Sequence, residues 1–72
     1  MKSDLILTSY SDEMATIGVI HRYLSGPSVR AVRLMLREVP IRILAGESLK
    51  TVTGIGRALE DVGCKVKVTE SK

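Results

Sequence analysis

The stretch that decides the fold is Gly26-Pro27-Ser28-Val29-Arg30-Ala31-Val32-Arg33-Leu34-Met35-Leu36-Arg37-Glu38-Val39-Pro40. Pro27 or Ser28 opens a helix, because proline is tolerated where its missing N–H would have been unpaired. The helix ends before Pro40, since proline disfavours helical geometry at the preceding Val39. At helical spacing one side is apolar. Its members are Val29, Val32, Met35, Leu36 and Val39.

Upstream, the sequence predicts a strand followed by another helix. Leu5-Ile6-Leu7 and the following Thr8-Ser9-Tyr10 are rich in strand formers. Ser11 and Asp12 are N-cap candidates for a first helix from about Glu13 to Leu24. Ser25-Gly26-Pro27 ends that helix, so the two helices pack as a hairpin or a sharp corner.

Downstream, Ile41-Arg42-Ile43-Leu44-Ala45 predicts a second strand and Gly46-Glu47 a turn. Ser48 is a candidate cap for a third helix with apolar residues at helical spacing. Those residues are Leu49, Val52, Ile55, Leu59 and Val62. Gly63 is suited to a left-handed helix end, and the alternating residues 64–69 predict a last strand with its lysines in solvent.

The predicted order is strand, helix, helix, strand, helix, strand. It corresponds to an α+β two-layer sandwich, β-α-α-β-α-β, with a three-stranded sheet covered on one face by three helices. We expect one domain over residues 1–72, an ordered core from about 4 to 69, and frayed residues at Glu70-Ser71-Lys72. Gly54 and Gly56 are costly inside a helix, so they mark a close approach, either of the helix to the sheet or of a partner to the helix. We favour the sheet.

The composition argues against several classes of function. The chain has 72 residues, a net charge of +3, and no Phe or Trp. One cysteine and one histidine cannot supply the four ligands of a structural zinc site. No apolar run approaches the ~20 residues of a membrane span, and the first residues do not form a signal peptide, so we expect a cytoplasmic protein. The hydroxyl groups of Ser48, Thr51 and Thr53 have no nearby base to activate them, so nucleophilic catalysis has no support. We expect no enzyme, no catalytic residue and no cofactor.

Two stretches are candidate contact surfaces. Arg30, Arg33 and Arg37 fall within about 60° of arc at ~100° per residue, with Leu34 beside them. An apolar residue among charges on an outward face favours a contact surface over a merely solvated one. On the first helix, Val19, Arg22 and Tyr23 either pack against the second helix or extend this surface. The predicted partner-binding set is Val19, Arg22, Tyr23, Arg30, Arg33, Leu34 and Arg37.

The chain also resembles a known family over residues 4–68. The matching features are an opening strand at residues 4–7, Arg22 followed by Ser25-Gly26, a basic helix start at residues 29–33, and the closing residues 58–63 before Val66 and Val68. Pro40, Gly46 and Ser48 also match. These positions resemble the C-terminal domain of the bacterial large-subunit ribosomal stalk protein. The resemblance implies the same element order and a role in which the first two helices recruit translation GTPases without catalysing a reaction.

The departures from that family bear on the partner. Val19 stands where the family has a lysine, Gly26-Pro27-Ser28 where it has Gly-Leu-Gly, and Leu34 where it has an acidic residue. The chain has no counterpart of the family's N-terminal dimerisation region and hinge, so we do not expect an ordinary stalk subunit. The docking surface stays basic but becomes more apolar, which favours a different partner.

We therefore expect a small, non-enzymatic protein-interaction module that docks through its first two helices onto a protein, of the kind of a translation factor or a ribosome-associated protein. Two alternatives remain open. The arginines would also suit a nucleic acid, although two tyrosines offer little base stacking. A peptide-capturing adaptor would need acidic pocket residues for a free amine, and the sequence shows no such arrangement. The exposed apolar candidates also allow a homodimer.

Overall fold

A computed structural model describes residues 2–24 and 28–71. The elements are β1 (Lys2–Ser9), α1 (Glu13–Tyr23), α2 (Val29–Leu36), β2 (Ile41–Ser48), α3 (Leu49–Asp61) and β3 (Lys65–Glu70). This order confirms the predicted β-α-α-β-α-β arrangement and the α+β class. The predicted break at Ser25-Gly26-Pro27 lies outside the described residues.

The sheet has the strand order β2-β1-β3, and both pairs are antiparallel. The first strand of the chain is therefore the central one. Leu5 lies opposite Leu44 of β2 and Val68 of β3, and Leu7 lies opposite Ile41 and Val66. Because directly opposed residues share a face, these apolar side chains lie on the side of the sheet that the helices cover, and Val68 stays exposed at its edge.

The core lies between that sheet face and the three helices. α3 packs against all three strands, and α1 packs against both α2 and α3. The buried apolar residues come from every element except β3, whose Val66 packs against them half-buried. They are Leu5, Leu7, Ile17, Ile20, Val32, Leu36, Leu44, Val52, Ile55, Leu59 and Cys64. This aliphatic core is the one expected from a chain without Phe or Trp.

The prediction of a turn at Gly46-Glu47 was wrong, because β2 continues through both residues to Ser48. Between the pairs Ser3–Glu47 and Leu5–Leu44 the strand β2 carries one extra residue, which makes a bulge. Gly46 adopts a positive φ of 68° there, and its N–H donates to Asp4 Oδ1 at 2.9 Å. The positive φ of Gly46 thus belongs to a bulge inside a strand. From the local sequence alone, such a glycine cannot be distinguished from a turn glycine.

The second helix is shorter than predicted. It begins at Val29 with Ser28 as its N-cap, but it ends at Leu36 instead of continuing to Val39. Arg37 and Glu38 donate to the carbonyls of Leu34 and Met35, so the last turn tightens to three-residue spacing before Pro40. Val32 and Leu36 are buried as predicted, whereas Val29, at the first position of the helix, is exposed.

Side-chain caps fix all three helix starts. Asp12, Ser28 and Ser48 each accept a hydrogen bond from the backbone N–H three residues later, as expected of N-cap residues. Of the two candidates before α1, Asp12 is the cap, while the Ser11 hydroxyl donates to the Gly63 carbonyl at 3.3 Å. Gly63 has a φ of 89°, which confirms its left-handed conformation after α3.

The two glycines of α3 have different surroundings. A Cβ on Gly56 would lie 3.4 Å from Leu5 Cδ1 and 3.5 Å from Val66 Cγ2, so the expected close approach of helix to sheet occurs here. A Cβ on Gly54 would meet nothing within 4 Å. The packing explanation therefore applies to Gly56 and is wrong for Gly54.

Pairing between strands extends beyond the predicted ordered core, residues 4–69, at both ends. β1 begins at Lys2, β3 includes Glu70, and the Ser71 N–H donates to the Lys2 carbonyl at 3.0 Å. Cys64, just before β3, is buried as predicted. Its Sγ lies 3.1 Å from the Thr16 hydroxyl.

Candidate protein-docking site

Leu34 occupies the outer crest of α2. At about 100° per residue it lies opposite the mean direction of Val32 and Leu36, the two fully buried residues of this helix. Its side chain is 54% exposed. About half of this leucine therefore remains in solvent, on the side of the helix farthest from the core, and that apolar surface is available to a partner.

Arg33 joins α2 to the first turn of α1. Its Nε lies 3.4 Å from Glu13 Oε1, with about half of each side chain exposed, and its Nη2 lies 3.8 Å from Met14 Sδ. An exposed pair of this kind is worth at most about 1 kcal/mol, so its main effect is to fix where the guanidinium lies. Met14 is itself 65% exposed. It adds a second exposed apolar side chain, in contact with Arg33, the residue before Leu34.

Arg30 and Arg37 flank Leu34 along the chain and are exposed. Within residues 2–24 and 28–71, neither has a carboxylate within ion-pair distance. Arg37 follows the last α2 residue but keeps right-handed backbone angles, so it continues the line of the helix. The two guanidinium groups therefore offer uncompensated positive charge on both sides of an exposed leucine. We call Met14, Arg30, Arg33, Leu34 and Arg37 the helical patch.

The structure does not bring all seven predicted residues into one surface. At about 100° per residue, Tyr23 lies on the side of α1 opposite Met14, and Val19 is turned about 140° from Met14. Val19 is half-buried and packs against the core. Tyr23 is 50% exposed. It lines a shallow cleft of about 450 Å³ with α3, together with Lys50, Thr51, Gly54 and Ile55.

Arg22 lies between these two sides, on the outer ridge of α1, and is exposed. It is the α1 residue of the predicted set that lies on the outer side of the helix pair with the helical patch. Met14, by contrast, is absent from the predicted set. The signal for it was the short connection between the two helices, which packs them together, and in the structure Arg33 contacts the first turn of α1.

The helical patch presents apolar and cationic side chains next to each other. Among the described residues no group of three or more His, Cys, Asp or Glu side chains is placed to hold a metal ion. None of the helices described between residues 2 and 71 is long and apolar enough to cross a membrane. The helical patch offers apolar area next to arginines, and both aromatic or Met side chains and arginine are enriched in protein interfaces.

No protein-family model matches the chain, and no curated protein matches it.

Proposed function

We propose that this chain is a non-enzymatic interaction module that docks a protein partner through the helical patch, with Arg22 at its edge. The observation that carries the proposal is the exposed Leu34 on the crest of α2, between arginines whose charges are not compensated. The stalk-domain resemblance supports the same two helices, and it suggests a translation GTPase or a ribosome-associated protein as the partner.

The charges define what the partner must present. Arg30 and Arg37 are seven positions apart in the sequence, which is about 10 Å along a helix axis. A complementary surface places two carboxylates about that far apart, with an apolar pocket between them for Leu34. Arginine is well suited to such contacts because it tolerates partial desolvation and pairs bidentately with carboxylates.

The test is an NMR titration of the ¹⁵N-labelled chain with a purified, unlabelled bacterial translation GTPase. We expect shift changes at residues 30–37 and in the first turn of α1. Leu34→Ser is expected to weaken binding at least about tenfold, the cost of losing one buried anchor. Arg33→Glu is expected to weaken it and to lower its salt dependence.

The matched control is Arg57→Glu, which makes the same charge change at an exposed position of α3. It should leave binding within about twofold, because a remote exposed charge acts only through a screened field. Equal losses for Arg33→Glu and Arg57→Glu, or shift changes confined to the sheet, would show that the helical patch is not the docking surface.

A further inference from the structure

The face of the sheet away from the helices carries its own charge pattern. Alternation from the core-facing Leu5, Leu7 and Val66 assigns every second residue of β1 and β3 to this side. Arg42 of β2 and Lys67 of β3 both lie opposite Ile6 of the central strand. We call this surface the open sheet face. Its members are Lys2, Asp4, Ile6, Arg42, Lys65 and Lys67, together with Thr8 and Thr69.

This surface is basic. Its four cations and the Asp4 carboxylate sum to a charge of +3, and the exposed Glu70, which lines the same cleft as Asp4 and Arg42, lowers this to +2. All four cationic residues are exposed, whereas Asp4 is buried. Asp4 is held by the Gly46 N–H at 2.9 Å and by Arg42 Nε at 3.4 Å. The carboxylate therefore stabilises the β2 bulge, and among the described residues none of the three lysines has a carboxylate within ion-pair distance.

The composition of this face favours one kind of occupant. Lysine is depleted in protein interfaces, and the apolar residue here, Ile6, is half-buried and offers little area for a protein anchor. Lysine and arginine are, in contrast, the main donors to nucleic-acid phosphates. Neighbouring strands lie about 4.8 Å apart, so Arg42 and Lys67 stand about 10 Å apart across the sheet. The described helices pack on the other face, so this surface presents no helix to the major groove of a duplex and suits an extended single strand better.

We propose that the open sheet face binds the phosphate backbone of single-stranded nucleic acid. The described part of this face carries no aromatic side chain, so bases do not stack there, and binding is independent of sequence and governed by salt. The proposal does not rest on the helical patch, from which the open sheet face is separated by the core.

The experiment measures fluorescence anisotropy of a labelled oligouridylate of about 20 nucleotides, longer than the site size of a small single-strand-binding fold. With four cations in contact, the slope of log affinity against log salt should be about −2.8, a loss of about 50-fold between 50 and 200 mM salt. The double variant Lys65→Gln/Lys67→Gln should reduce that slope to about −1.4.

The matched control is Arg30→Gln/Arg37→Gln, which removes the same charge from the helical patch. We expect it to keep the slope of the unaltered chain. Equal losses of affinity in the two double variants would mean that net charge alone attracts the strand. A loss confined to the helical-patch variant would mean that Arg30 and Arg37 bind the strand, and not the open sheet face. Either result overturns the proposal, as does an absence of binding at low salt.

Two further measurements test the proposal on the unaltered chain. Amide shift changes in the unaltered chain should fall on Lys2, Ile6, Arg42 and Lys67 when oligouridylate is added, which does not depend on the folding of any variant. Polyglutamate at matched charge serves as the competing occupant. If it binds as tightly as oligouridylate, the face is a site for an acidic protein and the nucleic-acid proposal fails.

Discussion

The two glycines of α3 make a sharp test of the packing, because the same substitution meets opposite surroundings. Replacing glycine with leucine in a helix interior gains about 0.8 kcal/mol of helix propensity at either position. At Gly54 the new side chain enters open space, so Gly54→Leu should stabilise by about that amount. At Gly56 the Cβ already reaches contact distance with Leu5 and Val66. The remaining carbons of Gly56→Leu must displace them, at about 1–3 kcal/mol of overpacking.

The two leucine variants should therefore differ by about 1–3 kcal/mol in free energy of unfolding, or at least about 4 °C in Tm for a domain of this size. Thermal and urea unfolding followed by circular dichroism at 222 nm measures both quantities. The alanine variants are the internal control, since one methyl group fits at each position and both should gain stability. Identical Tm values for the leucine pair would refute the close approach of α3 to the sheet.

Two further substitutions test local interactions. Asp4→Ala leaves the Gly46 N–H at the bulge without its acceptor and should lower the free energy of unfolding by about 1–3 kcal/mol, whereas Asp4→Asn, which keeps an oxygen acceptor, should recover most of that loss in urea titrations. Ser48→Ala removes the cap of α3 and should cost about 1 kcal/mol; a loss of the same size from Ser71→Ala, which caps nothing, would contradict that assignment.

The element order could be predicted because the signals were local. Asp12, Ser28 and Ser48 cap helices within three residues of themselves, and the apolar spacing of each helix follows from its own turn geometry. The errors arose where distant residues decide the outcome. Gly46 has a sequence typical of a turn, but Asp4, remote in sequence, supplies the hydrogen bond that keeps it in the strand. The bulge therefore depends on a partner that local sequence cannot reveal.

The candidate site was predictable only in part, for the same reason. The arginines and Leu34 share one helix, so their common face follows from helical spacing. Which α1 residues join them depends on how α1 rotates against its neighbours, and that rotation places Met14 beside Arg33 but turns Tyr23 toward α3. The open sheet face depends on strand order, because Lys67 and Arg42 flank Ile6 only when β1 is central.

The central position of β1 also determines how the domain bears mechanical load. Ser3 pairs with Glu70, and the Ser71 N–H bonds to the Lys2 carbonyl, so residues 2 and 71 sit on the same rung of the ladder. A force that separates these two residues acts along the interstrand hydrogen bonds, which run perpendicular to the strands. The bonds then break one after another, starting at Lys2, instead of resisting together in shear. When the chain is pulled at residues 2 and 71, β3 therefore separates from the central strand first.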